Sequence, residues 1–256
     1  MKQPPRLLRS LPPGGGVNAF GRPGGIDMVA VPVVPAMPDA GSEAIAFVPG
    51  YWDEACRHLI KRDRVMKKLI PQFGDARLQS NGDAFTTLAR SIVGQQVSTK
   101  SAQGVWRKLV AAVDGPDDEL LLPAAVLQLA GGVLKGIGLS ARKVEYLCDL
   151  GRHFSDGAVH VTQWHGMDDE AIIEELVAIR GIGRWTAEMF LIFHLLRPNV
   201  LPLDDPNLLR GISENYFSGE PVSRAEAREL GEGWAPYRSV ATWYLWRSLD
   251  PMTVKG

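Results

Sequence analysis

A glycine turn, two adjacent carboxylates and two tryptophans are the residues of this chain that could do chemistry. Gly181-Ile182-Gly183 stands where one helical pattern ends and another begins, with Arg184 and Trp185 next in line. Glycine reaches backbone conformations closed to other residues and lets a partner approach closely. The first amides of the following helix find no partner inside it, and its dipole favours an anion, so a nucleic-acid phosphate suits the turn. Asp204 and Asp205 close a loop that carries Pro198 and Pro202, and Asp205 lies 22 positions after Gly183. Pro206 takes the favoured first position of a helix, which makes Asp205 the N-cap. Helix amides favour the ionised form of such a carboxylate. Taken alone, Asp-Pro at this point is only a cap.

The run Leu176-x-x-Ile179-Arg180-Gly181-Ile182-Gly183-Arg184-Trp185 resembles the hairpin of helix-hairpin-helix DNA repair glycosylases, and the loop ending at Asp205 resembles the rest of that signature. GIGRWTA from Gly181, LPLDD from Leu201 and GQQVS from Gly94 are most similar to the DNA-3-methyladenine glycosylase II branch, with about residues 50 to 250 covered. The resemblance implies an all-α fold of two helical lobes with the hairpin on the rim of a DNA cleft between them. It implies a monofunctional enzyme that removes alkylated purines, such as 3-methyladenine and 7-methylguanine, from duplex DNA and leaves an abasic site.

N-glycosidic cleavage passes through an oxocarbenium-like sugar, which one nearby carboxylate can stabilise while orienting water. Asp205 aligns with the family's catalytic aspartate; Asp204 is the rival and is cast in support. Trp185 stands where strand-cutting relatives carry a lysine, and an indole is no amine nucleophile. A flipped alkylated purine is cationic, so aromatic walls attract it. Trp185 and Trp246, the latter ten positions after Pro236, are the expected walls, with Met189 facing the same cavity and Trp243 in the core. Gln96 holds the family's wedge position, unless Gln95 and Gln96 merely cap a helix junction. Gly181, Ile182, Gly183 and Arg184 are expected on DNA phosphate. Arg238 reaches Asp205, holds the loop, or is a plain surface residue. Carbonyls of Val177, Ile179 and Ile182 are implied ligands of a structural monovalent cation; no cofactor is required for the chemistry. Two other readings stay open: the same fold acting on uracil, thymine or deaminated bases, and a non-catalytic DNA-binding module.

Composition bounds these readings. The chain has 256 residues, 45% hydrophobic and 22% charged, ordinary for a globular protein with a real core. Net charge is −1, with 28 Lys and Arg against 29 Asp and Glu, so no global basic signature marks a nucleic-acid partner. Hairpin amides offer a charge-neutral hold on phosphate, and Arg142 and Lys143 can still add a local basic face. Cys56 and Cys148 show neither metal-ligand nor disulfide spacing, so the four-cysteine cluster of some relatives is excluded. No signal peptide and no apolar run of membrane-spanning length is visible, which leads to the expectation of a cytoplasmic monomer that meets duplex DNA and no membrane.

The elements that must position these residues are all helical. Residues 1–46 hold eight prolines and seven glycines without periodicity, the composition of a disordered tail. They leave no room for the N-terminal β domain of some relatives, and Met28 could be the true start. The domain expected at 50–250 divides into lobe one, about 84–196, and lobe two, about 50–80 plus 197–250. Apolar spacing predicts one helix from Tyr51 to Ile70, closed by Pro71, and another through Phe85–Val93, interrupted at Gly94-Gln95-Gln96-Val97. Ser98 N-caps the next. Further helices are predicted at Pro123–Leu129, Ala141–Phe154, Asp169–Ile179, Trp185–Leu196, from Pro206, from the Ser223–Glu226 capping box, and over Pro236–Leu249. A second glycine turn falls at Gly136-Ile137-Gly138.

Overall fold

The structure is a computed structural model that describes residues 47–80, 82–113, 120–129 and 131–249. The expected tail at 1–46, Met28 included, lies outside the described residues. Among the described residues twelve α-helices follow in order: α1 Trp52–Arg62, α2 Arg64–Leu69, α3 Ala84–Gly94, α4 Thr99–Ala112, α5 Pro123–Gln128, α6 Gly131–Gly136, α7 Ala141–Ser155, α8 Asp169–Val177, α9 Arg184–Phe193, α10 Pro206–Tyr216, α11 Arg224–Glu232 and α12 Arg238–Ser248. Among the described residues the sole β pairing is an isolated bridge between Phe47 and Ser80. The all-α expectation therefore holds. No helix among these residues is long and apolar enough to cross a membrane.

Several helix starts follow from side-chain capping. Ser98, Ser140, Asp83 and Asp205 each accept an amide from the first turn of their helix, and Ser223 with Glu226 closes a full capping box. One expectation is corrected here. The single helix expected from Tyr51 to Ile70 is broken at Asp63, whose backbone turns extended while Oδ1 accepts the amides of Val65 and Met66 at 2.8 and 2.9 Å. Its other oxygen accepts the Tyr216 hydroxyl at 2.7 Å and the Trp234 indole at 3.0 Å. A partly buried hydrogen-bond network outcompetes the helical register there. Helix α6 was not expected, because its Gly131, Gly132 and Gly136 carry no periodicity. Helix α9 ends at Phe193 rather than Leu196, where the backbone turns left-handed (φ 54).

The helices sort by packing partner. Helix α7 packs on α3, α5 and α6; α3 also meets α4 and α9, and α8 lies on α9. Separately, α12 packs on α1, α2 and α10, and α10 meets α11. Trp164 anchors the first group edge-on against Phe154 and Phe190. Trp243 anchors the second against Trp52 and Tyr244, at 2% exposure, which is the core role expected of it.

Candidate active site

The site forms where the N-terminus of α9, the N-terminus of α10 and the body of α12 meet. Asp205 caps α10: its Oδ1 accepts the Leu208 amide at 2.6 Å and its backbone turns extended. Two indoles then close on the same carboxylate. Trp246 Nε1 donates to Oδ1 at 2.8 Å from α12, and Trp185 Nε1 donates to Oδ2 at 3.0 Å from α9. Residues 20 and 41 positions from Asp205 thus converge on it with N–H groups. Three donors, the Leu208 amide and the two indoles, thus meet at one carboxylate.

Asp205 is 0% exposed. Its Oδ1 side is sealed by Trp246, which is 9% exposed and stacks on Phe193 with ring centres 5.5 Å apart. Its Oδ2 side is covered by Trp185, which is only half-buried. The carboxylate therefore sits one side chain deep, beneath an indole that borders solvent. Burying a charge costs several kcal/mol unless it is hydrogen-bonded, and each oxygen here has a donor.

Asp204, the rival, is exposed and pairs with Arg224 at 2.8 Å. Adjacent residues have taken opposite environments, and only Asp205 meets the tryptophans. Arg238 does not reach Asp205: its Nε donates to the Gly231 carbonyl at 3.0 Å, so it secures the end of α11. Met189 is buried at 5% exposure one turn after Trp185. Sequence reasoning missed Phe193, whose contact with Trp246 joins α9 to α12 and leaves no local signal.

The hairpin precedes α9. Gly181 has φ +87, where side chains are strained, and a methyl group there would come within 2.2 Å of the Tyr146 ring. Gly183 has ordinary φ (−93) and serves as an N-cap that offers no side-chain acceptor. Among the described residues the amides of Gly181 and Gly183, and those of the first turn of α9, have no hydrogen-bond partner. They form a cluster of donors at a helix N-terminus.

Two hairpin expectations change. The Ile182 amide donates to the Ile179 carbonyl at 3.1 Å and its side chain is 3% exposed, so Ile182 packs the turn and has no N–H left for phosphate. Arg184 is committed as a side chain: it holds Glu170 bidentately at 2.5 and 2.8 Å and Glu188 at 3.1 Å, so it contributes a backbone amide to this surface. Glu188 is 6% exposed, and burial pushes its carboxyl up to about 7 against the opposing pull of Arg184. Gln96 stands exposed in the turn between α3 and α4 with left-handed backbone (φ 57), while the preceding Gln95 donates to the Gly181 carbonyl at 2.8 Å.

The carbonyl groups of Val177, Ile179 and Ile182, at and just beyond the end of α8, keep acceptor capacity. Those of Val177 and Ile182 accept no hydrogen bond among the described residues, and Ile179 accepts one, leaving a lone pair. They lie at the negative end of the α8 dipole. No cluster of three or more His, Cys, Asp or Glu residues suited to a metal occurs among the described residues.

Comparison with known proteins bears on this arrangement. Residues 89–236 match the model of the HhH-GPD superfamily of base excision DNA repair proteins. The chain is 27% identical over 195 residues to DNA-3-methyladenine glycosylase 1 of Schizosaccharomyces pombe, covering 75% of this chain and 85% of that one. Its fold is similar to the crystal structure of DNA-3-methyladenine glycosidase from Bacillus halodurans, with a TM-score of 0.73, 32% identity, and 81% and 93% of the two chains covered. It is also similar to S. pombe 3-methyladenine DNA glycosylase in complex with abasic DNA, with a TM-score of 0.68, 26% identity, and 79% and 100% covered.

Proposed function

Since the chain belongs to the HhH-GPD superfamily of base excision DNA repair proteins, we propose that it is a monofunctional DNA glycosylase that hydrolyses the N-glycosidic bond of alkylated purines in duplex DNA. 3-Methyladenine and 7-methylguanine are the bases meant, and an abasic site is the product. The observation that carries the reading is the double-indole contact: Trp185 and Trp246 both donate to the α10 cap Asp205, beside a turn of unpaired amides.

The duplex lies between the two helix groups, with lobe one at about 84–196 and lobe two at about 50–80 plus 197–250. The Gly181–Gly183 turn and the first amides of α9 hold the strand by phosphate, and the carbonyls of Val177, Ile179 and Ile182 carry a monovalent cation beside it. The damaged nucleotide leaves the stack at a cost of roughly a few kcal/mol, and Gln96 enters the gap. The positively charged base lies against the tryptophan faces. For the sugar to meet Asp205, the half-buried Trp185 ring, hydrogen-bonded to Oδ2, must swing aside. The C1′–N bond then breaks with its electron pair going to the base, whose ring charge is thereby neutralised. Asp205 stabilises the positive charge left on the sugar, water adds its oxygen to C1′, and the released proton passes to solvent. No amine stands at position 185 to attack the sugar instead, so the strand is left uncut.

The test is incubation with methylated duplex DNA and chromatography of the released bases. Wild type frees 3-methyladenine and 7-methylguanine, and Asp205→Asn lowers the rate by roughly 100-fold or more, as expected for loss of charge stabilisation in a water-excluded site. Release of uracil or hypoxanthine instead moves the substrate to neutral bases. No release of any base leaves a DNA-binding module. Full activity of Asp205→Asn overturns the catalytic assignment.

A further inference from the structure

Two parts of the proposed site are physically joined. The turn after α3 carries Gln96, the hairpin carries Gly181, and Gln95 Nε2 spans them by donating to the Gly181 carbonyl at 2.8 Å. One face of α7 then holds both. Residues 143, 146 and 149 recur every three positions and so share a face. Lys143 Nζ donates to the Val93 carbonyl at 2.7 Å, at the negative end of α3 where a cation is favoured. Tyr146 lies so close to Gly181 that no methyl group fits between them. Asp149 Oδ2 accepts the Arg180 amide at 2.9 Å. Between these anchors Gln96 keeps a left-handed backbone (φ 57) and an exposed side chain. A residue other than glycine takes that conformation at a cost of about 1 kcal/mol, and it persists where its surroundings hold it.

We propose that Gln95 and Lys143 are positioning residues that brace the Gln96 turn against the phosphate-gripping hairpin, so that strand capture and base extrusion occur as one rigid movement. This rests on the glycosylase reading above. The hairpin amides do not pass through Gln95, so weakening the brace leaves the grip on undamaged duplex intact. What it removes is the fixed spacing that drives Gln96 into the stack. The step affected is extrusion, not binding and not bond cleavage.

Gln95→Met keeps the side-chain length and deletes the donor; Lys143→Met does the same from the α7 side, and thermal melting of both checks folding. Each is assayed on two duplexes, one with 7-methylguanine paired to cytosine and one with it in a single-base bulge, already loosened from the stack. A 2-aminopurine beside the lesion reports unstacking. The expected result is about a tenfold loss of rate on the paired duplex with a matching loss of fluorescence change. On the bulge the loss is under twofold, and affinity for undamaged duplex is unchanged. Equal losses on both duplexes, a parallel fall in undamaged-duplex affinity, or no loss at all overturns the brace while leaving the enzyme reading standing. Wild type inactive on both duplexes overturns 7-methylguanine as a substrate and the brace with it.

Discussion

At the scale of single residues, the fate of a carboxylate here is set by its neighbours and not by its charge. Asp204, Asp205 and Glu188 lie around the same helix ends, yet one is a surface ion-pair partner, one is a triple hydrogen-bond acceptor, and one is buried with a single oxygen on Arg184. Glu188 gives a pH prediction. Folding raises its pKa from 4.5 to about 7, so the folded protein binds this proton more tightly than the unfolded chain does. The resulting stabilisation is complete below pH 4.5 and is lost as pH rises through 7. Allowing for the Arg184 pair and partial solvent screening, the loss is on the order of 1–2 kcal/mol. In melts at a series of pH values, Glu188→Gln should show a flatter Tm profile than wild type between pH 4.5 and 7. Parallel profiles would mean that Glu188 stays ionised throughout. Asp205 was legible as a cap from its place before Pro206, and as a catalytic candidate through the resemblance. Its two tryptophans were legible through resemblance only. Glu188, Phe193 and Gln95 were not, since their partners lie across the fold and no sequence period records such pairs.

At the scale of elements, the hairpin divides labour between two glycines that look alike in the sequence. Gly181 is required twice over, by its positive φ and by the Tyr146 ring, whereas a methyl at Gly183 meets nothing within 4 Å. Gly181→Ala should therefore cost roughly 2–4 kcal/mol, combining left-handed strain with overpacking. Gly183→Ala should cost no more than about 1 kcal/mol, the difference between glycine and alanine at an N-cap. Urea denaturation of the two variants separates them, and equal midpoints would contradict the packing against α7. Helices with strong apolar periods and side-chain caps, such as α3 and α7, could be placed from sequence to within a residue or two, and α10 at its start. The break at Asp63 could not. Arg62-Asp63-Arg64 falls on a polar face where a helix would pass unnoticed, and the Tyr216 and Trp234 groups that bind Asp63 come from 153 and 171 positions away.

At the scale of the whole molecule, the charge balance and the hairpin together fix how DNA binding should respond to salt. Proteins that neutralise many phosphates with Lys and Arg release as many counterions, and log K then falls with log salt at a slope of about −0.9 per phosphate. This chain carries a net charge of −1. At its hairpin, the Arg184 side chain is spent on Glu170 and Glu188, which leaves the turn's amides and the exposed Arg180 to face the strand. A basic surface stands elsewhere: Arg57, Lys61, Arg62, Arg64, Lys67 and Lys68 are all exposed on α1 and α2. Arg64 and Lys68 line a hollow there with Asn215, near the opposite end of α10 from Asp205. Ten residues of helix separate those ends by about 15 Å. If amides do the gripping, fluorescence-anisotropy titrations of undamaged duplex between 50 and 200 mM salt should give a slope shallower than about −3, against −5 to −9 for an interface with six to ten basic phosphate contacts. Neutralising Lys61, Lys67 and Lys68 together should leave that slope where it was. A steep slope that flattens in the triple variant would instead put the α1–α2 surface on the nucleic acid, and the duplex would have to extend past the far end of α10.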